Sequence, residues 1–302
     1  MSIKPYFVSV IIPVHNDSSR LITCLKSLQL QTYDRDLYEV IVVDNNSTED
    51  IQAVVQQYSF ARYTQESKQG SYAARNKGIS LAKGEILAFT DSDCIPAADW
   101  IEQGVQALHK DSDRMMVAGK IELFFKTPEQ PTVVELYDSM TFLRQKTFVE
   151  KLHFGATANL FTYKTCFQTI GLFDTKLKSS GDREWGQRLY KAGYKQAYSD
   201  RVCIAHPARS NAQEIYKKTA RITEGLYTLQ NYQRKSLLSF TQEIFWDLKP
   251  PRKEIIEVFR AIQSNSISLK VKYIWLMLNL RWIAAAKKIE IYFRNPQKKI
   301  VG

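Results

Sequence analysis

The sequence predicts an α/β fold with a mostly parallel central sheet, followed by a helical, basic C-terminal extension. Three observations carry this prediction. Apolar, β-rich runs recur at residues 7–12, 38–43 and 85–90. Helix-periodic segments separate them, which is the alternation of parallel strands joined by helical crossovers. The excess of Lys and Arg is confined to the last third of the chain.

FVSVII (residues 7–12) reads as a buried strand stopped by Pro13. Asp17-Ser18-Ser19 then precedes a segment with Leu21, Ile22, Leu25 and Leu28 at helical spacing, so a capped helix is expected. YEVIVV (38–43) is a second strand, closed by the polar turn Asp44-Asn45-Asn46-Ser47, and a helix is expected around Thr48–Tyr58. Residues 72–82 read as a helix stopped by Lys83-Gly84, and EILAFT (85–90) runs as a third strand into Asp91-Ser92-Asp93. Further on, Met115–Phe125 reads as strand and Val133–Phe148 as one amphipathic helix. His153–Tyr163 reads as an irregular small-residue stretch, Glu184–Ala192 as a helix and VCIA as a last strand. Helices are expected near 211–232, 236–246, 252–263 and across Ser268–Arg294. The domain boundary is expected near His206–Asn211, giving an α/β domain over 1–208 and a helical, basic extension over 209–302.

An apolar content of 44% excludes wholesale disorder. Cys24, Cys94, Cys166 and Cys203 lie far apart without a CxxC pair. That spacing argues against a disulfide framework or a structural zinc site and fits a reducing compartment. The short apolar run at the N-terminus has no adjacent cleavage-site pattern, so no secretory signal is expected, and the expected location is the cytoplasm or the inner face of the plasma membrane. Residues 209–302 hold 18 Lys/Arg against 7 Asp/Glu, which is the whole of the +11 net charge. Such asymmetry suits an anionic membrane or nucleic acid. No recognition motif accompanies it, so nucleic acid is not expected as a partner.

In an α/β sheet, ligands bind beyond the C-terminal ends of the strands. Three such ends are polar here: His15-Asn16-Asp17, Asp44-Asn45-Asn46 and Asp91-Ser92-Asp93. Two carboxylates two residues apart can meet one hard cation, Mn²⁺ or Mg²⁺, which bridges to substrate phosphates. An acidic turn is the plain alternative for the isolated pair. Asp44 can accept from a ribose hydroxyl or a base N–H, or else serve an Asx turn. Neither GxGxxG nor GxxxxGK[ST] occurs. Phosphate charge must therefore be met by a metal and a few basic residues, of which Arg75 in AARNKG is the natural candidate.

The succession VSVIIPVHND, VIVVDNNSTED, QGSYAARNKGISLAKGEILAFTDSDC, GLFD and SGDREWGQRLYKAGY resembles glycosyltransferase family 2 over roughly residues 6–208. The resemblance implies a GT-A fold and inverting transfer from a UDP-, GDP- or dTDP-linked sugar to a glycan or lipid-linked acceptor. It implies that Pro13, Val14 and His15 contact the nucleoside and Asp44 the base. Arg75 would lie near the base or phosphates, Asp93 would hold the metal, and Asp91 the ribose or a metal-bound water. His206 resembles a third metal ligand or phosphate contact, with packing as its ordinary alternative. The family's Glu-Asp pair reads Gly181-Asp182 here. Asp182 is then the expected base, and Glu184, two positions on, is a rival. Asn159, in the stretch Gly155–Asn159, and Trp185 are candidates for acceptor contact, although a helical Trp also suits a core.

Within the extension, YIWLMLNLRWIAAA is too short and too charged to span a membrane. Trp275 and Trp282 with Lys270, Lys272, Lys287, Lys288 and Arg294 suit a helix lying in the membrane interface. A helix packed on the core or in an oligomer is the alternative. Two other classes fit the fold: a nucleotidyltransferase that makes sugar nucleotides, and a non-catalytic carbohydrate-binding relative. The first would want a Gly-rich basic loop where this chain has HNDSSR.

Overall fold

All residues of β1 (Val8–Val14) are buried except the partly exposed Pro13, so its β-rich composition serves burial on both faces. The strand runs through Pro13 rather than stopping at it. The ladder to the third apolar strand ends at Ile11–Phe89, so on that side the missing N–H at residue 13 leaves no gap. Helix α1 (Ser18–Gln29) follows, burying Leu21, Cys24, Leu25 and Leu28. Asp17 sits at its N-cap but makes no side-chain cap, and Glu49 instead accepts from Ser18 N–H at 2.7 Å.

The structure, a computed structural model, describes residues 5–229, 236–252, 255–256, 259 and 266–294. After α1 come β2 (Tyr38–Asp44), a short α2 (Ile51–Val55), β3 (Ala61–Gln65), α3 (Ser71–Leu81) and β4 (Ile86–Thr90). Then follow β5 (Ile95–Pro96), α4 (Trp100–His109), β6 (Arg114–Phe124), α5 (Val133–Thr141), α6 (Gln145–Leu152) and β7 (Asn159–Tyr163). The chain continues through α7 (Lys164–Ile170), α8 (Gly181–Lys191), β8 (Lys195–Pro207), α9 (Ala212–Leu229), α10 (Leu237–Leu248) and α11 (Ile267–Arg294). The eight strands form one sheet in the order β3-β2-β1-β4-β7-β6-β8-β5. Pairings of β1 with β2 and β4, β2 with β3, and β6 with β8 are parallel. The pairings made by β7 and β5 are antiparallel.

Three further expectations needed correction. Residues 133–148 are two helices, because Phe142 turns extended and Leu143 takes a left-handed φ of 57°. The irregular stretch before Tyr163 ends in β7, a central strand. The helix expected over 48–58 shrinks to α2, capped by Asp50 accepting from Ala53 N–H. The helix expected near 252–263 lies mostly outside the described residues.

The chain divides into two compact units. One comprises residues 1–124 and 143–207 and contains the sheet. One buried cluster of its core runs from Val8, Val10 and Ile12 through Trp100 and Phe161 to Ile204, and Phe89, Phe167, Phe173 and Trp185 pack together in another part of it. The other comprises 125–142 and 208–302, and its regular elements among the described residues are helices. In it α5, α9 and α11 share the buried residues Val134, Ile215, Leu276 and Leu280. Asp138, wholly buried, accepts from Lys218 at 3.0 Å and lies 3.5 Å from the Arg209 guanidinium. Among the described residues, no helix is long and apolar enough to cross a membrane.

Candidate active site

The parallel neighbours β2, β1 and β4 end side by side, so the polar residues after each strand meet at one edge of the sheet. Their loops are tied to one another. Asn16, at a left-handed φ of 50°, accepts from Thr48 N–H, and the His15 Nδ1–H donates to the Asn45 carbonyl at 2.9 Å. Buried Asn45 donates to the carbonyls of Glu66 and Lys68 and accepts from Gly70 N–H. It thereby fixes the start of α3, which carries Arg75. Asp44 is buried, accepting from Ser47 N–H at 3.0 Å and from the Tyr63 hydroxyl at 3.2 Å.

Beyond β4, Asp91 accepts from buried Arg75 at 2.5 Å, and Arg75 Nε has no partner among the described residues. Ser92 donates to Asp17, whose other oxygen takes the Arg20 Nε–H at 2.6 Å. That use of its carboxylate is why Asp17 does not cap α1. Asp93 stands 3.6 Å from His206 Nε2 and 3.7 Å from Arg20. Burial pushes the Asp93 carboxyl above its ordinary range, against the pull of His206.

His206 Nδ1 lies 2.7 Å from the Pro207 carbonyl oxygen. A carbonyl can only accept, so Nδ1 carries the proton, and in the neutral ring the Nε2 lone pair faces Asp93. A backbone carbonyl orienting the far nitrogen in this way is the usual support of a ligating histidine. Asp93, Cys94 and His206 offer ligand atoms all within 4.8 Å of one another. Burial pushes the Cys94 thiol well up, which leaves the carboxylate and imidazole as the fitting donors for a hard divalent cation.

Asp182 opens α8. It is partly exposed, yet protein crowds its carboxylate, and that burial pushes the carboxyl up. The Arg183 N–H, the Arg75 guanidinium and the Tyr72 hydroxyl all oppose the shift. The Tyr72 hydroxyl donates to Asp182 Oδ1 at 3.2 Å. Sequence reasoning passed over Tyr72, although it lies three residues before Arg75 and so on the same helical face. The glycine at 181 has a packing cause: a Cβ there would stand 2.7 Å from the Tyr72 ring. Tyr72 therefore occupies the space that a side chain at 181 would need. Cys94 and Arg20 were missed as well, and only Cys94 had a signal, its adjacency to Asp93.

Three candidates fare differently. Glu184 holds Arg188 through both oxygens, at 2.7 and 3.0 Å, and Arg188 in turn donates to the Ile170 and Leu172 carbonyls. Trp185 is fully buried, stacked on Phe167 with its N–H on the Gly171 carbonyl. Asn159 is also fully buried. It accepts from Trp100 and donates to the Lys120 and Val202 carbonyls. Asn159 and Trp185 are thus structural rather than acceptor-facing, because every polar atom they carry is matched inside the fold.

A mostly parallel α/β sheet with carboxylates, an imidazole and a buried guanidinium at one strand edge is the class of site that handles nucleotide-linked substrates. Residues 9–171 match the family model described as glycosyl transferase family 2, and the chain belongs to that family. It is 33% identical to glycosyltransferase AglE of Haloferax volcanii, over 97% of this chain and 98% of that one. A second relative is the dolichyl N-acetyl-alpha-D-glucosaminyl phosphate 3-beta-D-2,3-diacetamido-2,3-dideoxy-beta-D-glucuronosyltransferase of Methanococcus voltae. It is 23% identical over 70% of each chain. Among solved structures, the fold resembles mannosyltransferase PcManGT from Pyrobaculum calidifontis in complex with GDP-Man and Mn2+. The TM-score is 0.66 at 18% identity, covering 96% of this chain and 88% of that one. S. aureus TarS 1–349 matches with a TM-score of 0.55 at 18% identity, over 95% and 89%. The protein is a glycosyltransferase of the GT-A type.

Proposed function

We propose that this glycosyltransferase moves a sugar from a nucleotide diphosphate to an acceptor hydroxyl with inversion, using a divalent cation. The observation that carries the reading is two sets of contacts that meet at Asp91-Ser92-Asp93: His206 beside Asp93 on one side, and Asp91, Arg75, Tyr72 and Asp182 in succession on the other. The GDP-Man and Mn2+ named for the PcManGT structure support the same donor chemistry.

Asp93 and His206 would hold the cation, with Asp91 at the ribose or a metal-bound water. The cation, when bound, neutralises charge on the departing diphosphate. Arg75 orients Asp91 through its guanidinium and sets a fixed positive charge beside the phosphate position. Asp44, with Pro13, Val14 and His15 beside it, borders the nucleoside position. Asp182 takes the proton of the acceptor hydroxyl as that oxygen bonds to the anomeric carbon. The bond from that carbon to the phosphate oxygen breaks, and its electrons leave with the diphosphate. One displacement with no enzyme nucleophile inverts the centre. Glu184 is the weaker base because its carboxylate is engaged by Arg188.

The test incubates the full chain with UDP-, GDP- and dTDP-sugars, Mn²⁺, and glycan or lipid-phosphate acceptors, and identifies the products. Acceptor-dependent nucleotide diphosphate release that Asp182→Asn loses while still binding donor supports the reading. Normal transfer by Asp182→Asn with loss in Glu184→Gln overturns the base assignment. Pyrophosphate release when a nucleoside triphosphate and a sugar 1-phosphate are supplied in place of the sugar nucleotide would make the protein a nucleotidyltransferase.

A further inference from the structure

Helix α11 carries two apolar faces. One packs inside the helical unit through Tyr273, Leu276, Met277 and Leu280. The other is directed outward: Ile267, Val271, Trp275, Leu278, Trp282 and Ile289 follow one another at steps of three, four or seven residues. All but the half-buried Leu278 are exposed. At 3.6 residues per turn these positions fall on one line opposite the packed face, along a helix about 40 Å long.

The tryptophans divide in the same way. Trp100 and Trp185 of the sheet unit are 0% exposed, whereas Trp246, Trp275 and Trp282 of the helical unit are 63%, 63% and 62% exposed. Trp246 lies at the shoulder of the stripe, its carbonyl taking an N–H from Arg281 and its ring lying 3.6 Å from Lys249 Nζ. Charge flanks the line without interrupting it. Lys272 sits about a quarter turn to one side and Arg281 about a quarter turn to the other. Among residues 267–294, six are Lys or Arg and only Glu290 is acidic.

We propose that the outward face of α11 is a docking surface for an anionic lipid bilayer, on which the helix lies parallel to the membrane plane. Tryptophan prefers the headgroup boundary, aliphatic side chains the acyl region just below it, and flanking cations the anionic headgroups. A second copy of the chain would bring a helix of the same charge against this one, so the bilayer is the occupant the charge favours. The surface does not depend on which sugar is transferred.

The test is flotation of the full chain with phosphatidylcholine vesicles, with and without phosphatidylglycerol, at low and high salt. The prediction is flotation that needs phosphatidylglycerol, weakens with salt, and falls by about tenfold or more in Trp275→Gln/Trp282→Gln. Val271→Glu should fall likewise, and an unchanged thermal midpoint in each variant shows that the fold is intact. Equal flotation of wild type on both vesicle types, or none on either, overturns the proposal. So does a dimer in sedimentation that the double variant abolishes.

Discussion

Replacing Tyr72 by Phe removes one hydroxyl and leaves the ring that fills the space over Gly181. That hydroxyl donates to Asp182 at 3.2 Å, longer than the distance typical of a hydroxyl on a carboxylate. Its worth to the ionised form is therefore at the low end for a bond to a charge, about 1.5 kcal/mol. One pH unit corresponds to about 1.4 kcal/mol, so the carboxyl should rise by about one unit. Burial already pushes Asp182 up, and the Arg75 guanidinium and Arg183 N–H remain to oppose it. A base must be ionised, so activity is lost as pH falls through its pKa. The acid limb of the pH–rate profile should move to higher pH by about one unit, with the high-pH plateau retained to within about twofold. The assay is acceptor-dependent nucleotide diphosphate release across pH, with Mn²⁺ saturating. A uniform loss at all pH values, with the acid limb unmoved, would refute the link between Tyr72 and the proton acceptor.

The same residue sets a stability prediction. The folded-state pKa of Asp182 lies above its ordinary value. Its contribution to stability is thus full below the unfolded pKa and lost as pH rises through the folded one. At neutral pH the ionised carboxylate burdens the fold, so Asp182→Asn should raise the thermal midpoint while abolishing transfer; a lowered midpoint contradicts this. His206→Ala should lose Mn²⁺-dependent donor binding, with the midpoint shift on adding Mn²⁺ and nucleotide diphosphate falling to baseline. Gly181→Ala should lower stability by about 1–3 kcal/mol through the collision with Tyr72. Adding Tyr72→Ala should make the pair less than additive in denaturant unfolding, and strict additivity would mean the two positions do not meet.

Much of the sheet unit was legible because its strands advertise themselves. The runs at β1, β2 and β4 are apolar on both faces and end in polar turns. Topology then places those ends together, which is why Asp44, Asp91 and Asp93 could be read as one site. The edge strand ARYTQ has only two apolar residues, and β7 follows a stretch of small residues, so neither carried a strand signal. The break between α5 and α6 is a backbone event at Leu143 that no side-chain pattern announces. Asn159 and Trp185 misled for a related reason. Polar atoms on otherwise plausible contact residues look available until their partners, which are backbone carbonyls and an indole elsewhere in the chain, are known. Gly181 was visible as a departure from the expected Glu, but its cause lies in the ring of Tyr72, more than a hundred positions away.

The most direct test of the account is a crystal of the full chain grown with Mn²⁺ and a nucleotide diphosphate, with anomalous diffraction collected at the manganese edge. The account predicts one strong peak within about 2.3 Å of both an Asp93 carboxylate oxygen and His206 Nε2, with the diphosphate on its open side. No peak there, or a peak elsewhere with the nucleotide ordered, would contradict it.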